Sequence, residues 1–199
     1  MHRELNPDFP AVTSKIPDDL IAHWTSQWQT RDGVAVCIRP LRFDDREREI
    51  AFMASLSERT RYLRLLTPLK YLPPHLLDQL MDVDYDRRMA FVATVIKDGI
   101  EIFAGVARYG ESLDTTTAEL GVTVADEWQK RGVASRLIRQ VLLFAKWRGF
   151  RRIEGLVLRE NDRMLALARS AGFTMHFNAN DHLMHIAYEL AALTSDVST

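Results

Sequence analysis

Residues 89–110 contain two long β-prone runs, "MAFVATVI" and "IEIFAGVARYG", separated only by Lys97-Asp98-Gly99. A link that short cannot carry a crossover, so the two runs must pair antiparallel as a hairpin. A third run, "TAELGVTV" at 117–124, follows a polar loop from Glu111 to Thr116. Its Ala118, Leu120, Val122 and Val124 alternate onto one face, which leaves Glu119, Gly121 and Thr123 on the other. A sheet with an apolar face needs a cover. Ala134, Leu137, Ile138, Val141, Leu142 and Ala145 recur at helical spacing and supply one, in a helix that stops at Gly149.

The flanking segments extend this pattern. "VAVCIRP" at 34–40 reads as a strand ended by Pro40, and Asp44 and Asp45 offer caps for a helix carrying Ile50, Met53 and Leu56. Ser57 can cap a helix through "ERTRYLRLL", and Pro73-Pro74 opens another, "PHLLDQLM". Beyond Gly149, "RRIEGLVL" is a strand, Asn161 caps "DRMLALARSA", Gly172 ends that helix, and "FTMHF" and "HLMHIAYEL" close the sheet. Residues 1–33 are expected to be an N-terminal extension with a helix at Asp18 to Gln29, residues 34–190 one α/β domain, and residues 191–199 a frayed tail.

Composition excludes several function classes. With 199 residues, 47% of them apolar, the chain can bury one core but not two comfortable ones. Its 26 basic and 27 acidic side chains leave a formal net charge of −1, so no global charge favours nucleic acid or an anionic membrane surface. The N-terminus lacks an apolar signal region, and no stretch approaches the roughly 18 apolar residues of a membrane span. Cys37 is the sole cysteine, which suits a reduced, cytoplasmic compartment. No metal is expected: His182 and His185 lie three apart in a strand-like run, on opposite faces, and Asp82, Asp84 and Asp86 lack the glycine and distal glutamate of a calcium loop. The basic run "KWRGFRR" sits at a helix end, where cations complement the helix dipole.

The segment "VADEWQKRGVAS" at 124–135 carries the strongest chemical signal. A helix opening here would present unpaired backbone N–H groups and partial positive charge, with no acid in the way. Gly132 and Ala134 remove side-chain bulk, and Arg131 adds a permanent forked charge, a combination suited to a pyrophosphate. Neither the three-glycine turn of a dinucleotide-binding fold nor the Gly-Lys-Ser/Thr of a phosphate loop is present.

Gln129-Lys130-Arg131-Gly132-Val133-Ala134, following a strand that ends at Val124, resembles the Q/R-x-x-G-x-G/A signature of the GNAT N-acetyltransferases. "RENDRML" and "SAGF" resemble that family's later Asn-to-Gly-Phe segment, and the likeness covers roughly residues 34–190. It implies the GNAT fold: a mixed, mostly antiparallel central sheet flanked by helices and splayed at the cofactor-binding strand. It also implies acetyl-CoA as co-substrate, its pyrophosphate on Gln129, Lys130, Arg131, Gly132, Val133, Ala134 and Ser135. Val122, Thr123, Val124 and Asn161 would contact the rest of the cofactor. "VCIRPLRFDDRE" and "FMASLSERTRYLRLL" look like the start of the module in bacterial Pat-type protein lysine acetyltransferases, which acetylate acyl-CoA synthetases.

Acyl transfer to an amine needs the amine unprotonated, whereas a lysine titrates near 10.4. Glu119, a carboxylate on the strand leading into the signature, is the candidate base, and the Pat resemblance places the catalytic glutamate there. The same resemblance implies a backbone N–H near Val122 to Val124 on the thioester oxygen, and direct transfer without an acetyl-cysteine. Many GNAT enzymes carry a tyrosine seven residues after the asparagine as acid for the leaving thiolate; here that position is Ala168. Three readings stay open: a protein lysine acetyltransferase, an acetyltransferase of small amines such as polyamines, amino acids or aminoglycosides, and a non-catalytic acyl-CoA sensor.

Overall fold

The computed structural model describes residues 18–68, 72–177 and 182–190. The expected frayed tail at 191–199 and the first part of the expected extension, 1–17, lie outside them. Among these residues eight strands form one sheet in the order β1-β2-β3-β4-β5-β6-β8-β7. They are β1 (Ser26–Gln29), β2 (Ala35–Pro40), β3 (Arg88–Lys97), β4 (Ile100–Glu111), β5 (Thr117–Val124), β6 (Arg152–Leu158), β7 (Thr174–Phe177) and β8 (Leu183–Glu189). Every neighbouring pair is antiparallel except β5 and β6. This is the mixed, mostly antiparallel α/β architecture expected from the sequence.

Helices cover both faces. α5 (Val133–Trp147) is the crossover between the two parallel strands and packs on β3, β4 and β5. Its Leu137, Ile138, Val141, Phe144 and Ala145 are almost wholly buried. On the opposite face α2 (Arg46–Ser55) lies against β4 and α3 (Glu58–Leu65) against β5, with α4 (Pro74–Met81) packed on α2. α6 (Asp162–Ser170) links β6 to β7. Two glycines show that the faces differ: a Cβ on Gly105 would meet Val133 of α5, whereas one on Gly121 would meet Arg64 of α3.

Local signals were obeyed in most places. Ser57 accepts a hydrogen bond from the Thr60 N–H at 3.2 Å, and Pro74 occupies the first position of α4. Asp45 is a correction. It stands at the N-cap position of α2, but its side chain makes no cap hydrogen bond to that helix; its fully buried carboxylate instead takes hydrogen bonds from Arg39 at 2.6 and 2.8 Å and from the Arg42 N–H at 2.8 Å. Burial alone would raise that carboxyl, but these donors outweigh it and hold it below the ordinary range.

The helix expected over Asp18 to Gln29 is also corrected. α1 (Asp18–His23) ends early, and Ser26 to Gln29 become β1 because they can pair with the open edge of β2, Gln27 opposite Cys37. Leu20 and Trp24 enter the main core, so this part of the expected extension is integral to the domain. The Trp24 ring lies 4.9 Å from Phe144 and 6.2 Å from Phe91, which ties α1 to α5 and to the sheet. Trp24→Ala should therefore destabilise the fold by about 3–5 kcal/mol, read from urea unfolding; a change no larger than that of a surface residue would show that α1 does not stabilise the core.

Candidate functional site

β5 and β6 are in register over only Thr117↔Arg152, Ala118↔Ile153 and Glu119↔Glu154. Beyond those pairs the strands part, and the space between them belongs to a cavity of about 780 Å³. Its walls include Leu120 to Val124 of β5, Gly155 to Val157 of β6, the loop before α5, and one side each of α3 and α6. Gly155 lets the Leu120 carbonyl approach β6 closely where the two strands diverge, since a Cβ there would stand 3.2 Å from that oxygen.

The direction of the β5 backbone follows from hydrogen bonds at its end. The Ala125 N–H donates to the Ala104 carbonyl on the β4 side, and the Thr123 carbonyl also lies on that side, near Gly105. Backbone groups alternate along a strand in an antiparallel ladder, so those of Leu120, Val122 and Val124 point the other way, toward β6. The Val124 carbonyl confirms this by accepting from the Gln129 side chain at 3.2 Å. The Val122 N–H therefore faces the gap, while Thr123, although it lines the cavity, turns its backbone to β4.

Residues 129–132 do not open a helix, contrary to the sequence expectation. A 3₁₀ turn at Asp126–Trp128 leads into a loop, and α5 starts at Val133. Lys130 (φ 63°) and Gly132 (φ 86°) are left-handed, which a right-handed helix cannot accommodate. Left-handed residues interspersed in this way curl successive N–H groups into an anion-binding concavity. Nothing lies within 4 Å of a Cβ on Gly132, so the glycine is required by conformation and not by crowding. No side chain caps α5 and its first turn holds no acid, which leaves its N-terminal N–H groups to a ligand.

The other expected contacts separate into two groups. Lys130, Gly132, Val133, Ala134, Ser135 and Asn161 line the cavity. Gln129 lines it too, but its amide is engaged: the Nε2 donates to Val124, and the Oε1 accepts from Arg163 at 2.8 Å. Arg131 is outside the lining; it pairs with Asp32 and lies 4.9 Å over the Trp128 ring. Asn161 uses its Oδ1 to cap α6 through the Met164 N–H at 3.2 Å. Glu119 is exposed, one residue before the lining begins, and shares its face with Gly121. Ala168 is fully buried, and Cys37 lies away from the cavity with its thiol pushed up by burial.

Several lining residues escaped sequence reasoning. Asp126 receives hydrogen bonds from the Ser57 N–H, the Ser57 hydroxyl and the Thr60 hydroxyl at 2.8–2.9 Å, fastening the loop to the start of α3. Burial would raise its carboxyl, but those donors bring it below the ordinary value. Arg64 lines the cavity from α3 with nothing in "ERTRYLRLL" to single it out. Gly155 did leave a trace, as a lone glycine inside a strand. Among the described residues no group of three or more His, Cys, Asp and Glu could hold a metal ion. His182 precedes β8 and is not part of a strand, and His185 stands opposite His176.

The family model described as the acetyltransferase (GNAT) family matches residues 53–173. An acetyltransferase of Pseudomonas aeruginosa is 40% identical over 159 residues, covering 80% of this chain and 84% of that protein. The acetyltransferase Pat of Mycolicibacterium smegmatis is 31% identical over 137 residues, or 68% of this chain and 40% of Pat. Among solved structures, the GNAT domain of S. lividans PAT superposes with a TM-score of 0.79 at 28% identity, covering 88% of this chain and 100% of that domain. A spermidine N-acetyltransferase from Vibrio cholerae, in complex with CoA and spermine, shares the fold at TM-score 0.61 and 16% identity, over 78% of this chain and 95% of the other. Gly132→Ala should cost about 1 kcal/mol of stability from left-handed strain and weaken coenzyme A binding, read by thermal unfolding and calorimetric titration. Wild-type affinity in this variant would mean that the loop does not hold the cofactor.

Proposed function

The chain belongs to the acetyltransferase (GNAT) family and is an acetyl-transferring enzyme; from that premise we propose that it acts in the cytoplasm, moving the acetyl group of acetyl-CoA directly to a lysine amine of a partner protein such as an acyl-CoA synthetase. The observation that carries this reading is the forked gap between β5 and β6, lined by the Val122 backbone and closed at one end by the left-handed loop. A phosphate-rich ligand held at Lys130, Gly132 and the first turn of α5 would lay its thioester arm along that gap. The lysine acceptor is supported by the match to the GNAT domain of S. lividans PAT along its whole length.

The developing oxyanion and the amine proton each have a residue. The amine nitrogen attacks the thioester carbon, a C–N bond forms, and the carbonyl oxygen gains charge. The Val122 N–H, turned into the gap with no partner strand beside it, is the donor suited to that oxygen. Glu119, exposed beside the fork, accepts the amine's proton directly or through water. The C–S bond then breaks and sulfur leaves as thiolate. Ala168 offers no acid there, and a thiol with an ordinary pKa near 8.5 can leave without one. Cys37 stands away from the cavity, which favours direct attack over a covalent relay.

Thiol release from acetyl-CoA, measured with an acyl-CoA synthetase and with a panel of small amines, tests the reading. Glu119→Gln should cut synthetase-dependent turnover by about 10²–10⁴ while leaving coenzyme A binding intact. Release with small amines alone would replace the protein acceptor by a small one. Tight binding with no release from any acceptor would point to a sensor.

A further inference from the structure

Arg64 is the feature of the cavity that acetyl transfer does not use. Its guanidinium lies against the bare Cα of Gly121; a Cβ there would stand only 2.7 Å from the guanidinium carbon, so the glycine makes room for this side chain. Among the described residues Arg64 makes no hydrogen bond or ion pair, although it lines the cavity wall. Its charged neighbours are Arg108 and Glu49. Glu49 is almost wholly buried and already bonded to Arg108 at 2.9 Å, and its second oxygen has no partner among the described residues. Two cations therefore share one carboxylate.

We propose that Arg64 is a carboxylate-recognition point inside the cavity, which selects either an acyl group ending in a carboxylate, as in succinyl-CoA, or an acceptor that carries a carboxylate near its amine. This inference rests on the acyl-CoA reading above. Gly121 is adjacent to Val122, so a thioester placed at the Val122 N–H lies within a few carbons of the guanidinium. Both candidate ligands bring the same chemistry: two coplanar oxygens for a forked donor, and a negative charge for a cluster with one cation in excess. Burial and the repulsion of Arg108 push the Arg64 pKa down to about 10, which leaves the side chain charged at neutral pH and short of a counter-charge. A simple acetyl group on a neutral acceptor supplies none.

The test uses the full chain with coenzyme A, acetyl-CoA and succinyl-CoA by calorimetric titration. Thiol release is then measured with free lysine against lysine amide. If the acyl group is the source, succinyl-CoA binds more tightly than acetyl-CoA, and Arg64→Gln lowers that ratio about tenfold or more without changing coenzyme A binding. If the acceptor is the source, the two acyl-CoAs bind alike, free lysine outpaces its amide, and Arg64→Gln erases that preference. Gly121→Ala, which keeps the charge but displaces the guanidinium, should lower the same ratio and decides the matter should Arg64→Gln fail to fold. Equal binding of the acyl-CoAs with no carboxylate preference in turnover, including no turnover of either lysine compound, overturns the proposal. Failure of the wild-type chain to bind coenzyme A would overturn the acyl-CoA reading beneath it.

Discussion

The parallel pairing of β5 with β6, and its failure after three residue pairs, is the constraint on which the rest depends. A parallel neighbour cannot be reached by a tight turn, so the chain must cross over, and α5 is that crossover. The same connection therefore produces two things at once. It sets β6 beside β5, and it delivers a helix N-terminus beyond the end of β5, where the strands have already separated. Buried backbone groups without partners each cost about 1–3 kcal/mol. The unpaired edge of β5 avoids that penalty because the fork opens onto a cavity.

Keeping the loop in shape falls to side chains that never need to meet a ligand. Gln129 joins the end of β5 to Arg163 of α6, and Asp126 joins the loop to α3. Arg131 joins it to Asp32, in the turn between β1 and β2. The Arg131–Asp32 pair is half exposed, so its energy is small; its effect is to set direction. Arg131, which resembles a ligand in sequence, is thus a brace in structure, and α3 adds Arg64 to the cavity wall.

The legibility of the sequence followed the range of the interaction. β5 was predicted with its observed limits, and the apolar stripe of α5 was visible, because both patterns repeat within a few residues. The start of α5 is not legible because apolar spacing says nothing of the left-handed φ at Lys130. β1 leaves no local signal because its strand conformation comes from pairing with β2 and not from its own residues, "SQWQ". Asp45 has the composition of a cap, yet Arg39, six residues earlier, claims it. Arg64 was invisible for a related reason: its position beside Gly121 is a contact between α3 and a strand more than fifty residues away.

The fork also divides the sheet. β1 to β5 form one ladder and β6 to β8 another, and three residue pairs join the two edge to edge. Amides in the middle of a sheet normally surrender their hydrogens to water last. Here the central amide of Val122 has no strand across from it, so in the free protein it should trade hydrogen for deuterium as readily as a loop does. A molecule lodged in the gap would supply the missing rung and slow that exchange, uniting two half-sheets into one mechanical body.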